Sequence, residues 1–382
     1  MFISLIGTWI QAVAQSWLVF QLTHSAFLLG VVGFLTSIPV FFLALFGGVL
    51  ADRLNKRNIL IATQIAFMLL AFLLAILTQT KMITPFQIMI FAVLNGIVMA
   101  FDAPSRQAVV VELVGKEHLM NAISLNSVAF NSSRIIGPAL AGILVALVGM
   151  SGCFYINGIS FLAVIIALFL IKLNNNNPVP KDNHAIKDIK EGLSFVKNNR
   201  LIMALIAMVG IVSLFGFAYV ILMPIFANDI LKVGIKGLGL LMSSSGFGAL
   251  LAALLLARLG NFYYKGKFLV LSSFVFSVSL ILFSLSKIYI LSLVALMFVG
   301  GSSVAAIALI NTLLQAKVPD AFRGRVMGVF MLTFAGIMPF GNLISGWLAS
   351  TLGVCATVMI SGIFCFISLV IINILYPEIK NI

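Results

Sequence analysis

Residues 47–60 read GGVLADRLNKRNIL. Asp52, Arg53, Lys56 and Arg57 crowd into six positions between two long apolar runs. A knot of charge between such runs marks a short turn outside lipid. Its basic excess predicts the cytoplasmic side of a membrane.

Composition supports a bilayer setting. The chain of 382 residues is 62% hydrophobic and only 9% charged. Soluble domains sit near ~45–50% apolar and ~25% charged. No soluble fold hides that much apolar surface, so lipid is the expected solvent. The net charge of +13 then reads as basic cytoplasmic loops rather than a nucleic-acid footprint. Three cysteines and three histidines, far apart and without CxxC spacing, predict no disulfide framework, metal site or zinc site.

Apolar runs of about 20 residues predict membrane helices. Twelve are expected, at 2–22, 27–51, 59–79, 84–104, 118–148, 151–171, 201–227, 236–257, 267–286, 289–312, 323–350 and 353–376. With 52–58 cytoplasmic, the cytoplasmic loops and tail carry eighteen Lys and Arg. The outer loops carry four, and Arg134 inside a span completes the 23. This bias supports the span count, because one missed helix would invert every later loop. It also places both termini in the cytoplasm. No basic leader precedes the first span, which argues against a signal peptide. A short cytoplasmic piece ahead of Met1 would fit.

The polar stretch 172–200 holds an Asn run and two prolines and reads as a linker. Ile186 to Val196 within it is expected to form an amphipathic helix on the cytoplasmic membrane face. The predicted domains are a six-helix bundle over 1–171 and another over 201–382.

The halves repeat. Shifted by 353 − 149 = 204, Phe130 falls on Phe334, Gly137 on Gly341, Gly142 on Gly346 and Gly149 on Gly353. Apolar residues match by chance, but several glycines in one ungapped register argue against that. Two six-helix repeats predict a transporter that rocks about a central site.

Gly48-x-x-x-Asp52-Arg53-x-x-x-Arg57 resembles the loop between the second and third helices of the major facilitator superfamily. Asp102-Ala-Pro104-Ser-Arg106-Gln107, Asn121-Ala122-x-x-Leu125-Asn126, Arg134-Ile-Ile-Gly137-Pro138-x-x-Ala141-Gly142 and Gln315-x-x-Val318-Pro319-x-x-x-Arg323-Gly324-Arg325-Val326 are similar to its branch of siderophore and macrolide-efflux-like exporters. The resemblance implies an all-α membrane protein of twelve transmembrane helices. It further implies a proton-coupled, monomeric exporter in the bacterial inner membrane.

It also implies that the opening stretch is a cytoplasmic gate latch. Asp52 would sit near the start of the eleventh helix, where a carboxylate gains ~0.3–1 kcal/mol. Arg53 or Arg57 would pair with Asp102, and Gly48 would allow close helix approach. Arg106 and Arg323 join this gating set. Ala257 stands where the second half would carry its aspartate, so one latch is expected. The plain alternative is an ordinary basic loop.

Arg134 lies about 14 residues into its helix, ~21 Å deep at ~1.5 Å per residue. An arginine there costs ~2.5–3.5 kcal/mol or more. It would either bind an anionic substrate or bond structurally to Gln11 or Gln15. Gly137, Pro138, Ala141 and Gly142 resemble an exporter motif of the fifth helix, and equally suit close packing. Candidate cavity residues are Gln11, Gln15, Asn95, Asn131, Tyr219 and Ser303, with Ser243, Asn311 and Asn342. Polar side chains in membrane helices also bond simply to backbone.

No G-x-x-x-x-G-K-[ST] loop is present, so no nucleotide cofactor is expected. That leaves an ion gradient, though no acid sits deep in a predicted span; Asp102 and Asp229 lie near opposite ends. An importer on the same fold and a non-transporting membrane protein are the alternatives. A membrane enzyme would need a convergent acid, base or metal set that ten acids, mostly in loops, do not provide.

Overall fold

The computed structural model describes residues 1–115, 118–171, 185–260 and 262–381. The Asn run and both prolines of the linker lie outside them. The described elements are helical throughout.

α1 (Phe2–Thr23), α2 (Ala26–Arg53), α3 (Lys56–Gln79) and α4 (Pro85–Val114) precede α5 (Leu119–Leu170). At ~1.5 Å per residue α5 would be ~78 Å long, far beyond a ~30 Å hydrocarbon core. It breaks at Gly149, where φ is 74° and ψ is 176°. α12 (Asp320–Leu352) and α13 (Val354–Leu375) are divided in the same way by Gly353, φ 88° and ψ 159°. The sequence repeat aligned these two glycines, and the backbone explains why. Side chains with a Cβ are strained there, whereas glycine is not.

α6 (Ala185–Asn198) lies in the linker. α7 (Arg200–Ile211) and α8 (Ala218–Ile225), with π turns at Val212–Gly216 and Phe226–Ile230, form one span. α9 (Gly234–Leu259), α10 (Lys265–Leu285) and α11 (Tyr289–Lys317) complete the set. Eleven described helices are long and apolar enough to cross a membrane. Counting α5 twice at Gly149 gives twelve spans, as expected.

Helix ends differ from expectation where helices leave lipid. α4 continues past 104 to Val114, and α11 past 312 to Lys317. Hydropathy falls at the interface, but backbone hydrogen bonding carries on. Pro104 sits inside α4 and deprives the Ala100 carbonyl of its helical partner. Gly47 of α2 packs against that carbonyl.

Two compact units result. Unit 1 comprises Met1–His24, Val31–Asn183 and Ile235–Gly239. Within it α1 and α3 pack on α5. Unit 2 comprises Ser25–Gly30, His184–Gly234 and Leu240–Ile382. Its apolar core runs from Val196 of α6 through Leu205, Leu314 and Val326 to Ile379.

α6 forms where an amphipathic helix is predicted, and its buried face packs on protein. A Cβ on Gly192 would lie 2.7 Å from the Arg325 carbonyl oxygen of α12. Phe195 stacks on Phe322 at 4.6 Å, and Arg325 pairs with Glu191 at 3.0 Å. Lys190, Leu193 and Lys197 face outward.

Candidate functional site

α2 ends at Arg53 and α3 begins at Lys56, so the charged knot is a two-residue link. Asn55 caps α3, its Oδ1 accepting from the N–H groups of Arg57 (3.0 Å) and Asn58 (3.4 Å). Such a cap satisfies helix N–H groups that have no intrahelical partner. Lys56 forms an ion pair with Glu112 of α4. The side chains of Asp52 and Arg53 lie outside the described ones.

Arg57 does not pair with Asp102. Its Nη2 donates to the Phe169 carbonyl (2.9 Å), and its guanidinium lies 5.9 Å from the Phe169 ring centroid. Asp102 is already satisfied, which is the physical reason. It is the one wholly buried acid among the described residues. Its Oδ1 accepts from Thr63 Oγ1 (2.9 Å) and Gln64 Nε2 (2.8 Å) of α3, and its Oδ2 pairs with Arg106 one turn along α4. A buried carboxylate needs such donors, and charge-assisted bonds are the strong ones.

Two more expectations change. Among the described residues nothing lies within 4 Å of where a Gly48 Cβ would stand, so Gly48 makes no close helix contact with them. Gly47 makes it instead, a Cβ there falling 3.3 Å from Phe101 Cα. Arg323 is held locally, donating to the Gln315 carbonyl (3.0 Å) and pairing with Asp320 (2.6 Å).

Arg134 is half-buried and makes no hydrogen bond or ion pair among the described residues. Gln11, one proposed structural partner, is engaged elsewhere. Its Oε1 accepts from Asn157 Nδ2 (2.7 Å), and Asn157 Oδ1 accepts from Ser160 (3.2 Å). Gly7 fits against this buried cluster, where a Cβ would lie 2.6 Å from Asn157 Oδ1. Gln11 thus joins α1 to the second arm of α5 rather than facing a cavity. Gln15 is half-buried.

Asn95, Asn131, Asn311 and Ser303 bond within their own helices. Asn95 donates to the Phe91 carbonyl and Asn131 to the Ser127 carbonyl, both at 2.8 Å. Asn311 accepts from Gln315 at 2.7 Å. Tyr219 is buried in unit 2 with its hydroxyl 3.2 Å from Ser245 Oγ. Ser303 donates to the Gly300 carbonyl (2.9 Å) and lines a narrow apolar crevice in unit 2 with Ser277 and Ile310. Ser243 and Asn342 are buried.

The small residues of α5 pack in two directions within unit 1. A Cβ on Gly137 would press on Trp9 of α1 and lie 3.2 Å from the Ile6 carbonyl oxygen. A Cβ on Gly142 would lie 3.1 Å from Lys236 of α9, and one on Gly239 would lie 3.1 Å from the Gly142 nitrogen. Pro138 and Ala141 between them are buried. In unit 2 a Cβ on Gly346 of α12 would lie 2.8 Å from Gly30 Cα at the start of α2. Gly30, Gly47 and Gly239 were not singled out by sequence, because a lone glycine in an apolar run does not reveal which helix it meets.

Two repeats of six spans joined by small-residue helix crossings define a membrane transporter of the major facilitator fold. The D-xylose–proton symporter has that fold, with a TM-score of 0.77 at 13% identity over 100% of this chain and 98% of its own. A bacterial homologue of the human lysosomal transporter Spinster gives 0.74 at 14% identity, covering 98% and 94%. The chain belongs to the transmembrane secretion effector family of the major facilitator superfamily, which it matches over residues 1–381. It is 28% identical over 365 residues to the staphyloferrin A transporter of Staphylococcus aureus, covering 95% of this chain and 91% of that protein. It is 25% identical over 384 residues to the enterobactin exporter of Escherichia coli O1:K1, covering 100% and 91%.

Proposed function

We propose that this protein exports an anionic, siderophore-like organic compound across the bacterial inner membrane. Arg134 carries the reading. Half-buried in α5, it makes no bond to protein among the described residues. A membrane arginine is costly unless it faces a wet cavity or an anion, and its planar fork suits carboxylate or catecholate oxygens. Relatives named for staphyloferrin A transport and enterobactin export support that substrate class.

The bundles 1–171 and 201–382 alternate access as a monomer, with the linker 172–200 and both termini cytoplasmic. The contacts of Gly142 with Gly239 and of Gly346 with Gly30 are remade during the cycle. The 48–57 stretch takes part in gating through Asp52 and Arg53. A proton gradient drives transport, and Asp102 is the coupling carboxylate, because it alone is wholly buried among the described acids.

The test compares medium and cells of a deletion strain with one re-expressing this chain. A polycarboxylate or catecholate retained by the deletion strain and released on re-expression is expected. A compound left in the medium by the deletion strain and consumed on re-expression would mean import instead.

A further inference from the structure

Unit 2 carries a groove of about 530 Å³ that transport as described does not use. Val270 and Phe274 of α10 face Val370 and Ile374 of α13 across it. Lys267 and Lys380 line the same groove, and both are exposed. Among the described residues no acidic side chain lines it. Asn373 is the remaining polar residue there, its Nδ2 donating to the Leu369 carbonyl at 2.9 Å.

The position of Lys380 is built. After α13 the chain makes a 3₁₀ turn, Pro377–Asn381, that packs back on α10. Ile379 is 1% exposed and anchors that turn in the unit 2 core. The next residue, Lys380, is thereby carried to the groove that Lys267 lines from the first turn of α10. Lys267 Nζ stands 4.9 Å from the Tyr264 ring centroid, a cation–π contact. Tyr263 and Tyr264 are 82% and 60% exposed. Exposed tyrosines at the end of an apolar helix mark the water–lipid interface. The basic end of the groove therefore lies at headgroup level, and its apolar walls run into the hydrocarbon.

We propose that this groove binds an anionic glycerophospholipid of the surrounding leaflet. Its phosphate is held by Lys267 and Lys380, and one acyl chain lies between α10 and α13. A zwitterionic lipid would bring its own cation to the two lysines, whereas an anionic one brings net negative charge. A free phosphate has no use for the apolar walls.

The test titrates delipidated, detergent-solubilised full chain with phosphatidylglycerol, phosphatidylcholine or sodium phosphate, and counts bound lipid by native mass spectrometry. One phosphatidylglycerol is expected to bind more tightly than phosphatidylcholine, and sodium phosphate is expected not to displace it. Lys267→Gln/Lys380→Gln should weaken that binding on the order of tenfold, since each basic residue near an anionic lipid surface contributes several-fold. Ile374→Trp, which narrows the apolar part of the groove and keeps both lysines, should also weaken it. Lys190→Gln/Lys197→Gln on α6 should leave it unchanged. Equal affinity for the two lipids, displacement by phosphate, binding undiminished in either groove variant, or an equal loss in the α6 variant would overturn the proposal.

Discussion

Gly142 of α5 and Gly346 of α12, 346 − 142 = 204 residues apart, make equivalent contacts. Each presents bare backbone to the start of another helix, α9 at Gly239 and α2 at Gly30. The neighbours are backbone atoms near 3 Å from a would-be Cβ, so they cannot swing aside as a side chain would. Gly142→Val and Gly346→Val are therefore expected to insert into the membrane yet lose most substrate flux. Flux at equal expression checks this. Normal flux in both would mean that the helices separate without functional cost.

Gly149 and Gly353 hold positive φ at equivalent breaks. Alanine at either position is expected to cost ~1–3 kcal/mol, since the strain must be carried by the surrounding fold. Thermal unfolding of the purified variants checks this, with a lowered midpoint expected for each. An unchanged midpoint would mean that the break relaxes freely.

Much of this fold was legible because lipid demands long apolar runs and basic cytoplasmic loops. All twelve spans can be placed that way, and the 204-residue repeat alone aligns Gly149 with Gly353. Helix ends were less legible, because the α4 and α11 backbones keep bonding after hydropathy stops reporting on them. Side-chain pairing was least legible. Asn157 meets Gln11 across 146 residues, and nothing local announces that pair. Thr63 and Gln64 look like ordinary polar residues in a span until Asp102 is found between them. Gly47 and Gly48 differ by one position, but one position turns a helix by about 100°, and only Gly47 faces α4.

Breaking the Gln11 cluster tests whether it is structural. Gln11→Leu leaves Asn157 Nδ2 buried without its acceptor, at a cost of ~1–3 kcal/mol. The expected outcome is reduced thermal stability with unchanged substrate affinity. Affinity that falls with stability intact would return Gln11 to a cavity.

Asp102→Asn keeps shape and removes the charge that Arg106, Thr63 and Gln64 surround. If Asp102 couples protons, transport driven by an imposed pH gradient should collapse while substrate exchange without a gradient persists. Exchange and gradient-driven transport failing together would make the residue structural. Both persisting would place coupling elsewhere.

Arg134 is expected to anchor an anionic compound for export. Inside-out vesicles bearing the chain, given the labelled anionic compound that the deletion strain retains and an imposed proton gradient, test this most directly. Accumulation inside the vesicles is expected. Arg134→Gln should raise the half-saturating concentration roughly ten- to hundredfold, the loss expected for a charged hydrogen bond worth ~1.5–3 kcal/mol, with normal insertion. No accumulation by the unmodified protein, or equal saturation by the variant, would contradict it.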